Sequence, residues 1–186
     1  MTRWADFVIA AAGLLALSPV LILIWLAVRI DSPGPALFWS QRFGRDSTLF
    51  AMPKFRSMKL GTPQLPTHLL GDPDAKLTRV GRFLRRTSLD ELPQLWSVLR
   101  GDMAIVGPRP ALFNQHDLMD LRREGRIDRL RPGITGWAQV NGRDELVLTE
   151  KVRYEKEYLT RRSWGFDLRI IWLTARRVFA RDGISH

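Results

Sequence analysis

The sequence predicts a mostly helical α+β protein, and three observations point to this fold class. An apolar run of 22 residues without a charge lies near the N-terminus, and it is long enough to form a membrane helix. Two short strands around a turn at residues 44–47 indicate a small β-hairpin. Most of the other apolar segments have helical spacing. We therefore divide the chain into a membrane helix at residues 1–30 and a membrane-associated domain at residues 31–186.

The composition limits the classes of function. The chain of 186 residues fits one domain and has no Cys, which excludes disulfides, zinc fingers, iron–sulfur clusters and thiol nucleophiles. The 29 Lys and Arg outnumber the 19 Asp and Glu, so the net charge is +10. A chain this basic is expected to meet an anionic partner, which is a nucleic acid, a membrane surface or a phosphorylated substrate.

The apolar run covers residues 7–28, and Trp4 and Trp25 lie near its ends, where membrane helices carry interfacial indoles. A secretory signal peptide fits poorly, because Asp6 lies in the charged region and no small-residue cleavage site follows. A buried helix of a soluble protein is the other alternative. The composition favours membrane insertion over both.

Ser18 and Pro19 lie inside this run. Pro19 has no N–H and its ring clashes with the carbonyl of Leu15, so we expect a kink that divides the segment into two arms. Neither arm alone crosses the hydrocarbon core. Basic residues flank both ends, which favours a helix-break-helix that enters and leaves on the cytoplasmic side. An ordinary kinked transmembrane helix stays open as the alternative.

The rest of the chain supports the α+β assignment in order. Residues 36–52 hold the two hairpin strands, and the Pro- and Gly-rich residues 61–78 indicate a mobile loop or lid. The other predicted elements are helices at 80–86, 89–100, 113–129, 148–159 and 166–181, and strands at 103–106 and 136–140. The second of these strands runs into Asn141-Gly142, which is a two-residue hairpin signal.

The densest set of charged residues runs from Arg79 to Arg109, where six arginines surround three carboxylates. Two of the carboxylates are the adjacent Asp90 and Glu91, and Ser88-x-x-Glu91 matches a helix capping box, which alone explains many such motifs. Adjacent carboxylates beside arginines also suit a phosphate and Mg²⁺ together, because Mg²⁺ takes one or two carboxylates plus substrate phosphates. An aspartate can also attack phosphorus itself and form an acyl phosphate.

Five further basic residues, which lie near turns and strands, are candidates for binding a phosphorylated substrate. Arg109 has a proline on each side, which restricts where its side chain points. Arg131 and Arg143 lie beside Gly-rich turns, where backbone amides can also face a diphosphate. Lys54 and Arg56 follow the hairpin. Each of these residues also has a purely structural interpretation, as turn chemistry or as edge-strand charge.

Three long motifs occur in order along the chain, KFRSM at 54–58, TSLDELPQLWSVLRGDMAIVGPRP at 87–110 and RPGITGWAQVNGR at 131–143. Together they resemble the bacterial sugar transferases, which are polyprenyl-phosphate hexose- or N-acetylhexosamine-1-phosphate transferases, also called monotopic phosphoglycosyl transferases. The resemblance covers essentially the whole chain. Larger relatives carry an additional membrane bundle and soluble domain, so we expect this chain to belong to the small, single-module class.

The resemblance implies an activity and residue roles. It implies transfer of a sugar-1-phosphate from a nucleotide-diphosphate sugar, usually a UDP-sugar, to undecaprenyl phosphate with release of UMP, at the first membrane step of glycoconjugate assembly. Asp90 is implied as the nucleophile of a two-step reaction through a covalent phosphosugar–aspartyl intermediate. Asp90 and Glu91 are implied as the Mg²⁺ site, with Glu91 assisting in metal or proton handling. The residues expected to contact substrate are Lys54, Arg56, Arg85, Arg109, Arg131, Arg143 and Glu155.

The resemblance also implies a location and partners. The N-terminal segment is expected to be a re-entrant membrane helix broken at Ser18 and Pro19, with the catalytic domain on the cytoplasmic face of the bacterial inner membrane. The expected partners are a polyprenyl phosphate lipid, a nucleotide sugar and the membrane, with no nucleic acid. The sequence leaves open whether the chain forms a homo-oligomer. The alternative function is that of a membrane-anchored protein that binds nucleic acid or acidic lipids.

One position departs from the family pattern. The family usually has K-x-x-x-D-V-x-Y after the RPGITG motif, whereas this chain has Glu155 where the Asp is expected. The acid is kept but is one methylene longer, which leaves the role of this position open.

Overall fold

The computed structural model describes residues 1–64, 72–142 and 146–180. Its α-helices are α1 (Arg3–Asp31), α2 (Pro73–Lys76), α3 (Arg79–Thr87), α4 (Leu95–Arg100), α5 (His116–Glu124), α6 (Leu148–Arg161) and α7 (Trp164–Ala180). Its strands are β1 (Leu37–Phe43), β2 (Leu49–Phe55), β3 (Ala104–Val106) and β4 (Gly133–Thr135). Short 3-10 helices span Leu89–Gln94, Ile127–Arg129 and Gln139–Asn141. The predicted α+β class with a small hairpin is confirmed.

Strands β1 and β2 form the predicted antiparallel hairpin, which extends to Phe55. In its register Phe38 lies opposite Lys54 and Arg42 lies opposite Phe50. Because successive strand residues alternate between the two faces of a sheet, Arg42 and Lys54 project from the same face. The hairpin therefore presents two cations to one side.

Strands β3 and β4 pair in parallel as a second, two-stranded sheet. The predicted strand at 136–140 and the hairpin at Asn141-Gly142 are wrong, because β4 ends at Thr135 and a 3-10 helix follows at Gln139–Asn141. The physical reason is local hydrogen bonding. Val140 N donates to the carbonyl of Gly136 at 3.1 Å, and Asn141 Nδ2 donates to the carbonyl of Trp137 at 2.7 Å. These bonds close helical turns where a hairpin needs an extended chain.

Helix α1 continues through Ser18 and Pro19, so the expected break does not interrupt it. Pro19 cannot donate to the carbonyl of Leu15, which is its partner four residues earlier. Ser18 Oγ donates to this same carbonyl at 2.8 Å. The serine hydroxyl thus replaces the hydrogen bond that the proline removes, and this explains why the helical conformation survives.

Helix α1 contacts the rest of the fold at its start, near its middle and at its end. At its start, Arg3 Nη1 and Nη2 donate to the carbonyls of Val98 and Leu99 at the end of α4, at 2.5 and 2.6 Å. Near its middle, an added Cβ at Gly13 would lie 3.3 Å from Leu95. At its end, Asp31 Oδ2 accepts from Val80 N of α3 at 3.0 Å. Both ends of α1 therefore lie against the same folded unit.

Within the described residues, the packed interior consists of three clusters. The largest joins Ala10 of α1 to residues of α4, β2, β3, α6 and α7, including Val98, Tyr158 and Ile170. The predicted helix at 113–129 is shorter than expected, because α5 covers only His116–Glu124 and a 3-10 turn follows Gly125. Of the predicted loop or lid at 61–78, residues 65–71 lie outside the described residues, and α2 occupies the part nearest α3.

Candidate active site

The adjacent carboxylates lie in the 3-10 helix Leu89–Gln94, between α3 and α4. Ser88 enters this helix with a left-handed backbone, at φ 56°, and its side chain makes no capping hydrogen bond. The capping-box interpretation is therefore wrong. A left-handed conformation at a residue other than glycine costs free energy that the surrounding structure must offset. Here it places Asp90 and Glu91 against strand β2.

Glu91 is held by two cations from different parts of the fold. Its Oε1 accepts from Lys54 Nζ at 2.7 Å and from Arg109 Nη2 at 3.1 Å. Lys54 belongs to β2, and Arg109 lies in the Gly-Pro-Arg-Pro loop that follows β3. These two charge-assisted hydrogen bonds fix the Glu91 carboxylate in position.

Asp90 is only 7% exposed, yet among the described residues its carboxylate has no hydrogen bond or ion pair. The charges of Lys54, Arg85 and Arg109 act on it and favour its ionised form. Burial outweighs them, so the pKa of Asp90 is raised above the usual value for an aspartate. Burial likewise lowers the pKa of Lys54, against the attraction of Glu91. Asp90 is thus a carboxylate free to bond a ligand atom.

Arg42 is a site residue that the sequence motifs did not indicate. Its Nη1 donates to the carbonyl of Pro110 at 3.0 Å, its Nε donates to Ser40 Oγ at 3.0 Å, and its charge helps to lower the pKa of Lys54. The signal in the sequence is the alternation of the hairpin, which puts Arg42 and Lys54 on one face. Arg42 therefore joins the cations around the carboxylate pair.

The loop that carries Arg109 is packed tightly from behind. A Cβ on Gly107 would lie 2.4 Å from the carbonyl oxygen of Arg131, so only glycine permits this approach of the two loops. From the other side, Arg122 Nη2 donates to the main-chain carbonyl of Arg109 at 2.9 Å. Both contacts act on the backbone of this loop and leave the guanidinium of Arg109 to reach Glu91.

The structure does not bring every predicted residue to this cluster. Arg56 is buried and donates to the carbonyls of Ser32 and Pro33 at 2.8 and 2.6 Å, so it holds the loop after α1. Glu155 is buried in an ion pair with Arg122. Arg131 lines a separate cavity. The substrate contact expected of Arg143 lies outside the described residues, and the substrate contacts expected of Arg56, Arg131 and Glu155 stay predictions.

Asp90 and Glu91 fit a magnesium ion that is also bound by a phosphate substrate. Within the described part of the chain, no group of three or more His, Cys, Asp or Glu could hold a metal by itself. Mg²⁺ commonly binds through one or two carboxylates and completes its coordination with substrate phosphates. The unbonded carboxylate of Asp90 next to Glu91 matches this arrangement, provided that a phosphate substrate supplies the other ligands.

Comparison with known proteins gives a consistent set of relatives. The Escherichia coli K12 protein named UDP-glucose:undecaprenyl-phosphate glucose-1-phosphate transferase is 44% identical over 186 residues, which cover 96% of this chain and 40% of that protein. The Salmonella typhimurium undecaprenyl-phosphate galactose phosphotransferase is 37% identical, with 98% and 41% covered. The Bacillus subtilis uncharacterized sugar transferase EpsL is 39% identical, with 95% and 86% covered.

The chain spans about two fifths of the length of the first two of these relatives. The model of the family described as bacterial sugar transferase matches residues 1–181, which is nearly the entire chain. This match includes the carboxylate pair, the cations around it and helix α1. The chain belongs to the bacterial sugar transferase family.

Proposed function

We propose that this protein transfers a sugar-1-phosphate from a UDP-sugar to undecaprenyl phosphate and releases UMP, as a membrane step of glycoconjugate assembly. The observation that carries the proposal is the contrast between the two carboxylates. Glu91 is tethered by Lys54 and Arg109, whereas Asp90 is buried beside three cations without a hydrogen bond among the described residues. Two relatives whose names describe undecaprenyl-phosphate sugar transfer support the same reaction.

In the first step, an oxygen of Asp90 attacks the β-phosphorus of the UDP-sugar. The new bond joins this oxygen to phosphorus, and the bond between the β-phosphorus and the oxygen bridging to the α-phosphate breaks. UMP leaves with that electron pair. The charges of Arg85 and Arg109 act on Asp90, and in this proposal their guanidinium groups, which match phosphate geometry, stabilise the negative charge of the phosphoryl oxygens.

In the second step, an oxygen of undecaprenyl phosphate attacks the same phosphorus. The aspartyl–phosphorus bond breaks, Asp90 regains its carboxylate, and the product is a sugar diphosphate on the lipid. Neither step needs a net proton transfer. Asp90 reacts with the two anionic substrates one after the other. The same cations, Lys54, Arg85 and Arg109, therefore stabilise the phosphate charge in both steps.

Asp90 and Glu91 are the residues that would hold Mg²⁺. When bound, this ion supplies positive charge that offsets the charge of the phosphates. Lys54 keeps one Glu91 oxygen in place at 2.7 Å. Arg109 shares this oxygen at 3.1 Å, so the position of Glu91 depends on both cations.

We further propose that α1 lies in one leaflet of the bacterial inner membrane, with the active site on the cytoplasmic face. Among the described residues, α1 is the one helix long and apolar enough to cross a membrane. Its outer face exposes large apolar side chains, among them Leu15 at 78% and Ile30 at 85%. Because both ends of α1 contact the same folded unit, a helix that crosses the bilayer would carry polar parts of the domain into the hydrocarbon core.

The catalytic proposal is tested with the Asp90→Asn variant. We expect purified wild-type protein with Mg²⁺, undecaprenyl phosphate and a panel of UDP-sugars to release UMP from at least one of them, and we expect Asp90→Asn to lose this release by at least a thousandfold. The matched control is Asp120→Asn, which alters an exposed carboxylate paired with Arg123. Turnover by Asp90→Asn at the wild-type rate would disprove the nucleophile.

The topology is tested by cysteine labelling, for which this chain is well suited because it has no Cys. Single cysteines at Thr2 and at Ser32 flank α1. In intact cells, an impermeant thiol reagent should label neither position, and both should react after the membrane is permeabilised. Labelling of only one position from outside would show that α1 crosses the bilayer.

A further inference from the structure

A cavity lined by arginines lies apart from the carboxylate pair. It has a volume of about 160 Å³ and lies between the start of α1, the turn of the β1–β2 hairpin, the 3-10 helix Ile127–Arg129 and the end of α6. Its charged lining residues are Arg3, Arg45, Arg129, Arg131, Arg162 and Asp6. Tyr158 and two residues of β3 complete the floor.

The charges of this cavity are not balanced by its own residues. Five guanidinium groups face one carboxylate, that of Asp6, which is already engaged because its Oδ1 accepts from Ile105 N at 3.2 Å. Within the described residues, the side chains of Arg129 and Arg131 make no hydrogen bond or ion pair. Arg45 is paired with Asp46 at 3.3 Å, but Arg129 and Arg131 have no counter-charge among the described residues, and such cations favour an anionic ligand.

This cavity is separate from the proposed active site. None of its lining residues belongs to the group formed by Lys54, Arg85, Asp90, Glu91 and Arg109. One residue of each place lies at an end of β2. Arg45 lies in the turn before the strand, while Lys54 is the residue before the last. The five steps from Leu49 to Lys54 correspond to roughly 17 Å of strand, whereas Arg131 contacts the loop of Arg109 through its main chain, at Gly107.

Two exposed indoles lie close in sequence to arginines that line the cavity. Trp4 follows Arg3 at the start of α1 and is 79% exposed, and Trp164 begins α7 two residues after Arg162 and is 49% exposed. Arg162 Nη2 donates to the carbonyl of Met1 at 3.5 Å, so these two helix starts lie side by side. Tryptophan is enriched at the level of lipid headgroups. Arginines on the same helix starts as such indoles are chemically suited to a headgroup phosphate.

We propose that this arginine-lined cavity binds a phosphate ester, and that the ester is the headgroup of an anionic phospholipid rather than a free phosphate. This inference rests on the membrane placement of α1 in the proposed function. The bound headgroup pairs with Arg129 and Arg131, and it fixes the start of α1 and the start of α7 at the same depth in the interface. The lipid is a ligand of the fold and not a substrate of the reaction.

The test compares vesicle binding by three proteins. They are the wild type, the cavity double variant Arg129→Gln/Arg131→Gln, and the control Arg123→Gln/Arg153→Gln, which removes the same charge from exposed positions outside the cavity. Binding is measured by flotation with phosphatidylcholine vesicles, with and without 30% phosphatidylglycerol. We expect phosphatidylglycerol to tighten wild-type and control binding about tenfold. The cavity variant should lose most of this gain and bind pure phosphatidylcholine as the wild type does.

Two results would overturn the inference, and a third would overturn the proposed placement. If the cavity variant and the control lose the phosphatidylglycerol gain equally, only net charge matters and the cavity is not a site. If 10 mM inorganic phosphate raises the unfolding temperature of the wild type in detergent but not of the cavity variant, and the vesicle gain is unchanged, the ligand is free phosphate. If wild-type protein binds no vesicles at all, the membrane placement itself is wrong.

Discussion

Arg122 and Glu155 form a bidentate ion pair inside the protein. Arg122 Nε donates to Glu155 Oε2 at 2.8 Å and Nη2 donates to Oε1 at 2.5 Å, with side chains 5% and 2% exposed. The same Nη2 donates to the main-chain carbonyl of Arg109. Glu155 therefore reaches the active site indirectly, because it orients the arginine that holds the backbone of Arg109.

Glu155→Gln should lower both stability and turnover. It leaves the buried guanidinium of Arg122 without a counter-charge, which costs about 3 kcal/mol in comparable cases. The displaced Arg109 loop should lower kcat of UMP release, measured per folded molecule. The control is Glu150→Gln on the same helix, because Glu150 forms an exposed pair with Arg153 at 3.9 Å and such pairs contribute about 1 kcal/mol at most. If folded Glu155→Gln releases UMP with the kcat of the wild type, the ion pair of Arg122 and Glu155 has only a structural role.

The activity should fall on acidification at a higher pH than for an ordinary aspartate. Burial raises the pKa of Asp90, and only its carboxylate form can attack phosphorus, so kcat/KM rises with pH as Asp90 loses its proton. The charge of Lys54 opposes this rise in pKa. Lys54→Met should therefore move the acidic limb to still higher pH, besides slowing the reaction. Lys59→Met, at an exposed lysine that contacts α2, should leave the limb in place. An acidic limb that Lys54→Met leaves unmoved would exclude Asp90 as the titrating group.

Two glycines allow a matched test of loop packing behind Arg109. A Cβ at Gly107 would lie 2.4 Å from a backbone carbonyl oxygen, whereas a Cβ at Gly165 in α7 meets nothing within 4 Å. Gly107→Ala should destabilise the fold by several kcal/mol, because backbone must shift. Gly165→Ala should stabilise it by about 0.5–1 kcal/mol, because alanine has the higher helix propensity. Chemical denaturation gives the free energy of unfolding of both variants. Equal effects would mean that the loops of Gly107 and Arg131 do not approach as closely as described.

The hydroxyl of Ser18 should matter only when Pro19 is present. In lipid, an unpaired carbonyl of Leu15 has no water to bond. We expect Ser18→Ala to destabilise the protein in lipid nanodiscs by about 1 kcal/mol. The same change in a Pro19→Ala background should cost little, because replacing the proline restores the helical N–H. Thermal unfolding of the wild type, the two single variants and the double variant measures the coupling between Ser18 and Pro19. Equal effects of Ser18→Ala in both backgrounds would show that the two residues are not coupled.

The sequence predicted most of the elements, because their signals are local. The hairpin around residues 44–47 and the strand β3 were found, since alternation and turn residues specify them without help from distant segments. The strand at 136–140 was wrong because Asn-Gly is a turn signal only when two strands are available to pair. Here the chain after β4 makes local helical bonds.

Four residues of the candidate site were predictable from the sequence, whereas Arg42 and the indirect role of Glu155 were not. Asp90, Glu91 and Arg109 were predicted from adjacent carboxylates among arginines, and Lys54 was predicted from the KFRSM motif. The structure brings all four together. Arg42 was missed because its approach depends on strand register. The indirect position of Glu155 could not be predicted either, since its partner Arg122 lies 33 residues away on α5.

The central claim is that Asp90 carries the sugar phosphate between two substrates, and trapping this intermediate tests it most directly. Wild-type protein is mixed with Mg²⁺ and a UDP-sugar that supports UMP release, without undecaprenyl phosphate, and its intact mass is measured. We expect one added sugar-phosphate that maps to the peptide containing Asp90 and disappears when undecaprenyl phosphate is added. UMP release that requires the lipid acceptor from the start, with no adduct at any time, would contradict it.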